Sequence, residues 1–315
     1  MFRRIFFKDE RVRPVFRVLI YIVAVLVAQV LLWFPIGIVD GVMHGHAAVL
    51  RTPPVWLTEL GSALAVVGSA FLLRRYLDRR SIGSLGLSLQ TKWGRFFAIG
   101  VLLGGGMQLF AFAVEFALGR VHGVGFAPLA ADVRVLLAWG GIFLVAALAE
   151  EMLLRGYILQ NLWEEIGFWP AAILTSGVFA LLHFHNPHFG EHPWIAATNI
   201  AVDGIWSCLA ILWTRSLWLA WGAHFGWNLF EGSVLGLPVS GIDTGGSVIN
   251  ELVTGPTLMS GGTFGPEAGF IGLIALLAGL AVLYALHRFG AFDRLPDTRE
   301  AYAGGPAPTP ARAVH

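Results

Sequence analysis

Apolar residues fall in long, nearly uninterrupted blocks along this chain, broken by short polar stretches. The blocks lie near 15–36, 55–76, 95–118, 134–156, 168–186, 194–213, 216–233 and 268–288. A helix that crosses a bilayer needs about 20 predominantly apolar residues. The pattern therefore predicts an all-α polytopic membrane protein with about eight transmembrane helices. The fifth and seventh blocks are short for a span. Only Thr214, Arg215 and Ser216 separate the sixth from the seventh, so those two helices form a tight antiparallel hairpin. Gly104, Gly105 and Gly106 sit inside the third block. They can kink it or admit a neighbouring backbone at close range.

The polar stretches orient these blocks, because Lys and Arg collect on the cytoplasmic side. Arg3, Arg4, Lys8, Arg11 and Arg13 precede the first block. Arg74, Arg75, Arg79, Arg80, Lys92 and Arg95 lie between the second and third. Arg288, Arg294, Arg299 and Arg312 follow the last. The alternate loops hold only Arg51, Arg120 and Arg134. Both termini are therefore expected in the cytoplasm, which agrees with an even number of spans. The chain divides into a basic segment 1–14, a transmembrane domain 15–288 and a tail 289–315. The tail ends in AYAGGPAPTPARAVH, a composition expected to be disordered. The first apolar run, Val18 to Ile38, exceeds the roughly 7–15 residues of a signal peptide, so it reads as an uncleaved first span. Trp33, Trp56, Trp93, Trp169, Trp194 and Trp213 fall near block ends, as in an interfacial aromatic belt.

Composition agrees with the pattern. The chain is 56% hydrophobic and 13% charged, with mean hydropathy +0.70. Soluble domains carry about 25% charged residues. The net charge of +1 gives no basic surplus that would call for nucleic acid, and the expected surroundings are membrane lipid. A single cysteine, Cys208, excludes an intrachain disulfide. The Ala, Gly and Arg content points to a bacterial cytoplasmic membrane.

Against this background the ionisable residues inside the blocks stand out. They are Glu59, Glu115, Glu150, Glu151, Arg155, His183, Asp203, His224 and Glu231. Such groups are costly at membrane depth and mark cavities, partners or chemistry. Glu151 and Arg155 are spaced i,i+4 on one helix face, which suits a charge pair. Glu150 points about 100° away and has no partner in its own segment. That leaves it available as a general base. The same stretch also reads as a structural ion pair with a carboxylate near the helix end. His183 lies one turn after Phe179, and alone it reads as a helix-end histidine. His185, His188 and His192 follow it as loop residues. His224 and Asn228 share one face of the seventh block, where an interhelical hydrogen bond is the plain alternative.

Three helices thus contribute Glu150/Glu151, His183 and His224/Asn228. Glu150, His183 and His224 can together bind a divalent metal such as zinc. Without metal, Glu150 can activate water while His and Asn donors hold an oxyanion. Both routes lead to hydrolysis of an acyl bond. The chain has no HExxH zinc motif and no Gly-x-Gly-Asp of aspartyl intramembrane proteases.

In order along the chain, the segments EEMLLR (Glu150, Glu151, Arg155), FALLH (Phe179, His183) and HFGWN (His224, Asn228) resemble the CPBP family of intramembrane proteases, also called CAAX prenyl protease or Abi. That family is described by Glu-Glu-x-x-x-Arg, Phe-x-x-x-His and His-x-x-x-Asn motifs. The resemblance covers about residues 140–232, within a protease core of about 134–233. It implies Glu150 as base on the attacking water and His183 as its assistant or a metal ligand. It implies His224 and Asn228 as oxyanion donors, with His224 the alternative ligand. Glu151, Arg155 and Phe179 become supporting residues. The substrate it implies is a membrane-associated peptide or protein. The family is commonly labelled metalloprotease, and a metal-free glutamate mechanism is also proposed for it, so the cofactor is zinc or none. The rivals are an ion- or proton-coupled transporter and a non-catalytic scaffold or immunity protein of the same fold.

One geometric difficulty follows. If the fourth helix ends near 156, Glu150 lies towards the cytoplasm. His183, ~14 residues along the fifth helix, is then about 20 Å from that helix's start. For the two to meet, the fourth helix must tilt or the fifth must begin deeper. GYILQNLWEEIG is expected as an amphipathic connector on the inner surface. Glu59, Glu115 and Asp203 fall outside the motifs and read first as structural.

Overall fold

The computed structural model describes residues 6–8, 11–44, 55–89, 92–126 and 129–292. The helices are α1 (Pro14–His44), α2 (Val55–Tyr76), α3 (Trp93–Ala117) and α4 (Leu129–Glu151). After α4 the chain winds on through a π-helical stretch, Met152–Ile158, into α5 (Leu159–Ile166). Next come α6 (Phe168–Leu182), α7 (Pro193–Thr214) and α8 (Leu217–Asn228), which also ends in a π-helical stretch, Leu229–Val234. A short α9 (Thr257–Ser260) precedes the last helix, α10 (Phe270–Arg288). Two small antiparallel ribbons complete the described residues. One pairs β1 (Phe7–Lys8) with β2 (Arg11–Val12), and the other pairs β3 (Val121–Phe126) with β4 (Ile249–Val253). The expectation for the end of the tail, 293–315, lies outside the described residues.

Seven of the described helices are long and apolar enough to cross a membrane. The all-α polytopic class is as the apolar blocks predict. The block near 216–233 differs from the other seven. It forms 12 residues of α8 and then six of π-helix. It is also the most enclosed, with Leu217, Leu219, Ala220, Gly222, Ala223, Gly226 and Trp227 all buried.

Glycine explains how α8 reaches the centre of the bundle. A Cβ built on Gly104 of α3 would lie 2.0 Å from the Ala223 carbonyl oxygen, and one on Gly222 of α8 would lie 2.3 Å from that of Phe97. Backbone meets backbone there, the small-residue contact that membrane helices use where no hydrophobic force drives association. Of the two roles open to the glycines of the third block, close approach is the one realised. α3 runs unbroken from Trp93 to Ala117.

The fourth block is longer than its apolar stretch suggests. The continuous helical stretch that is apolar enough to cross a membrane runs Val133–Ile166, 34 residues. The segment expected as a surface connector is helix, and buried polar contacts hold it in the bundle. Asp78 accepts from Arg74 Nη1 at 3.1 Å and from the Tyr157 hydroxyl at 2.9 Å. Arg74 Nη2 donates to Gln160 Oε1 at 3.0 Å, and Gln160 Nε2 donates to the Leu85 carbonyl at 3.1 Å. Arg74, Asp78, Tyr157 and Asn161 are fully buried. Arg13 pairs with Glu165, which ties the N-terminal segment to the same helix end. Glu150 therefore sits near the middle of a continuous helical stretch and not at its end, and it lines one cavity with His183.

Candidate active site

Glu150 and Glu151 close α4, and the π-helical stretch begins at the next residue. Glu151 is fully buried and points inwards. Its Oε1 accepts from Arg155 Nη1 at 3.2 Å and from Ser207 Oγ of α7 at 3.4 Å, and lies 3.1 Å from His224 Nδ1 of α8. The i,i+4 pair read from the sequence is present, and both its side chains are buried. Arg155 also lies over the Phe179 ring, 4.4 Å from its centroid. Phe179 in turn meets the His183 ring edge-on at 4.7 Å and the His224 ring at 6.0 Å. It is the buried apolar spacer between the motifs.

A carboxylate can only accept, so Nδ1 of His224 carries the proton that Glu151 receives. The other nitrogen, Nε2, lies 3.7 Å from Glu150 Oε2. That gap exceeds a hydrogen bond. Glu150 Oε2 has no hydrogen-bond partner, although the Glu150 side chain is 40% exposed. One imidazole thus stands between two adjacent glutamates, held by the buried one and facing the exposed one.

His183 begins a 3₁₀ turn at the end of α6. Its Nδ1 lies 2.9 Å from the Phe179 carbonyl oxygen, an acceptor, so Nδ1 is the protonated nitrogen and Nε2 is free. Glu150 and His183 line one cavity of about 120 Å³ together with Leu153, Leu182 and Asn186. Asn228 is half-buried one turn beyond His224, at the end of α8. Among the described residues its carboxamide makes no hydrogen bond. The second π-helical stretch starts immediately after it, so the winding changes within the Glu150–Arg155 motif and again just past Asn228. Such π turns are frequent at functional sites.

The expected metal set is not assembled. Among the described residues no three His, Cys, Asp or Glu side chains converge as ligands. The physical reason is visible at His224. One of its nitrogens is committed to Glu151, and the other meets a single carboxylate, Glu150. Two of the histidines beyond His183 are engaged elsewhere, His192 with Thr257 at 2.9 Å and His188 with Glu191 at 3.9 Å.

Residues 132–230 match the family model described as type II CAAX prenyl endopeptidase Rce1-like. Over this stretch the chain is similar to the CPBP family of CAAX proteases. The matched stretch contains all three motifs and ends at Phe230, two residues past Asn228. No curated protein and no solved structure matches the chain. The match supports a peptidase in general, and together with the apolar helices it supports an integral membrane protein.

Two residues near the CPBP motifs were not assigned from sequence. Ser207, a single hydroxyl in an apolar span, donates to Glu151. Asp203, one turn before it on α7, lies within electrostatic reach of His183, His224 and Glu151. Glu59 of α2 lies within reach of Glu150. The i,i+4 spacing of Asp203 and Ser207 was the available signal, but α7 carries no motif to draw attention to it. Glu115 stays apart, 3.5 Å from Arg120.

Proposed function

We propose that this chain is an intramembrane endopeptidase of a bacterial cytoplasmic membrane, with both termini cytoplasmic, that hydrolyses a peptide bond of a membrane-associated substrate without a metal. The observation that carries this reading is the Glu150–His224 pair. The partly exposed Glu150 side chain turns a buried, unpartnered oxygen, at 3.7 Å, towards an imidazole nitrogen whose ring is fixed from behind.

Glu150 takes a proton from a water in the cavity it shares with His183, whose Nε2 accepts a hydrogen bond from the hydrogen that the water keeps. The resulting hydroxide attacks the scissile carbonyl carbon. The oxyanion that forms is met by Nε2 of His224, which donates when the ring between the two glutamates carries a proton on each nitrogen, and by the Asn228 carboxamide. As the C–N bond breaks, Glu150 passes its proton to the departing amine nitrogen. This leaves a carboxylic acid and an amine and returns Glu150 to its carboxylate form. Each donor aimed at such an oxyanion contributes about 10²–10³ in rate in other acyl-transfer enzymes. Glu151, Arg155 and Ser207 take no proton in this scheme. They hold the His224 ring so that Nε2, and not Nδ1, meets the substrate.

The test is cleavage of a fluorogenic membrane-peptide library by protein in liposomes, comparing wild type with Glu150→Gln and His224→Ala. A farnesylated CAAX peptide is run beside its unprenylated form to read whether the substrate in the family's description is taken. Cleavage lost in both variants supports the scheme. Cleavage retained by Glu150→Gln removes Glu150 as the base.

A further inference from the structure

Glu231 belongs to none of the three motifs, and the scheme above gives it no task. It lies in the π-helical stretch after α8, three residues beyond Asn228. It is fully buried, and neither of its carboxyl oxygens has a hydrogen-bond partner. Glu267, in the turn before α10, is 8% exposed. Its Oε1 accepts from the Ser240 N–H at 3.2 Å and from the Ser240 hydroxyl at 3.1 Å, while its Oε2 has no donor. The two carboxyls meet beside Gly265. A Cβ built on that glycine would lie 2.8 Å from Glu267 Oε2, 2.9 Å from Glu231 Oε1 and 2.1 Å from the Pro238 carbonyl oxygen. The Trp227 indole also approaches Glu231, without closing a hydrogen bond.

Two ionised carboxylates side by side in a dry interior repel each other and lack solvation. One proton removes both costs, because a carboxylic acid donates where a carboxylate can only accept. The two Ser240 donors favour the charged form at Glu267, so the proton belongs on Glu231.

The connection continues to the active-site cavity. The Ser240 carbonyl accepts from Asn186 Nδ2 at 3.2 Å, and the Asn186 N–H donates to the His183 carbonyl at 3.0 Å. Asn186 lines the cavity together with Glu150 and His183. Gly241 presses on the same turn, since a Cβ there would lie 2.0 Å from the Pro187 carbonyl oxygen. A single chain of polar contacts therefore runs from the segment after Asn228 to the turn that carries His183.

We propose that Glu231 and Glu267 are positioning residues of the active site, in which Glu231, as a carboxylic acid, donates to Glu267 Oε2 and ties the end of α8 to the His183 turn. The effect on cleavage rests on the peptidase reading, whereas the shared proton does not.

The test uses the full chain in liposomes, with one readout independent of cleavage. The infrared difference spectrum, wild type minus Glu231→Gln, should contain the carbonyl stretch of a protonated carboxylic acid. Its absence overturns the inference, and a divalent cation found in wild type but not in Glu231→Gln would identify what joins the carboxylates instead. Cleavage of the peptide library reads the positioning. Glu231→Leu should lower kcat about 10²-fold with KM near wild type, as a small displacement of a catalytic group does. Glu231→Gln should rescue most of that loss, because its side-chain N–H donates to Glu267 in place of the acid. Undiminished kcat in Glu231→Leu overturns the positioning role. So does activity lost in Glu231→Gln at a wild-type melting temperature, which decides the matter even where Glu231→Leu fails to fold. Wild type that shows the acid band and cleaves nothing overturns the peptidase reading and leaves the carboxyl pair standing.

Discussion

Glu151 Oε1 lies 3.1 Å from Nδ1 of His224, so the buried member of a glutamate pair fixes the imidazole that its neighbour faces. Adjacent residues on α4 thereby take different positions around one ring. Burial separates them: Glu151 is enclosed with Arg155, while Glu150 reaches the cavity.

Replacing Glu150 by Gln keeps the side chain's size and removes its basicity. The expected loss is about 10²–10⁴ in kcat, the usual contribution of a positioned base. Peptide cleavage and thermal unfolding are measured on the same sample. The melting temperature should stay close to wild type, because this side chain is partly exposed and makes no hydrogen bond through Oε2.

Glu151→Gln should behave differently, because it leaves Arg155 buried without its counterion. Removing one partner of a buried pair costs about 3–5 kcal/mol. The double variant Glu151→Gln/Arg155→Leu removes both charges and should recover much of the melting temperature. It should not recover cleavage, because His224 has lost the acceptor that orients it. Recovery of activity in the double variant would limit Glu151 to a structural role.

Asn228→Ala tests the oxyanion donor that the sequence suggested and that stands unbonded one turn from His224. Loss of one such donor costs about 10²–10³ in kcat with little change in KM. A rise in KM alone would make Asn228 a substrate-binding residue.

Gly104→Ala probes the backbone contact that places α8. The added methyl would collide with the Ala223 carbonyl, one residue from His224. Overpacking of this kind costs about 1–3 kcal/mol, and here it also displaces the helix that carries His224 and Asn228. Thermal unfolding and cleavage should fall together, whereas Gly106→Ala, which meets open space, should leave both unchanged.

Chelation addresses the ligand set that does not converge. Cleavage should be insensitive to a strong chelator and to added zinc. Activity lost on chelation and restored by zinc would show that Glu150, His183 and His224 move together to hold a metal.

The apolar blocks by themselves determined the class of fold, because about 20 apolar residues in succession have one stable use in a chain this poor in charge. The spacing of Glu151 and Arg155 determined their pairing, because i and i+4 meet on any helix. The three motifs in order determined which helices share the site. Tertiary structure decided what those local rules cannot reach. Gln160 and Asn161 look like surface residues in sequence, and only their bonds to Arg74 and Arg17 show that α5 packs into the bundle. The block near 216–233 looked like any other, and only backbone contact with α3 shows it as the enclosed centre of the bundle. Ser207 and Asp203 carry no motif, and they join the site because α7 packs beside it. The partition between Glu150 and Glu151 was likewise tertiary. Sequence sets two adjacent carboxylates about 100° apart, and the neighbouring helices decide which one is enclosed and which one meets water.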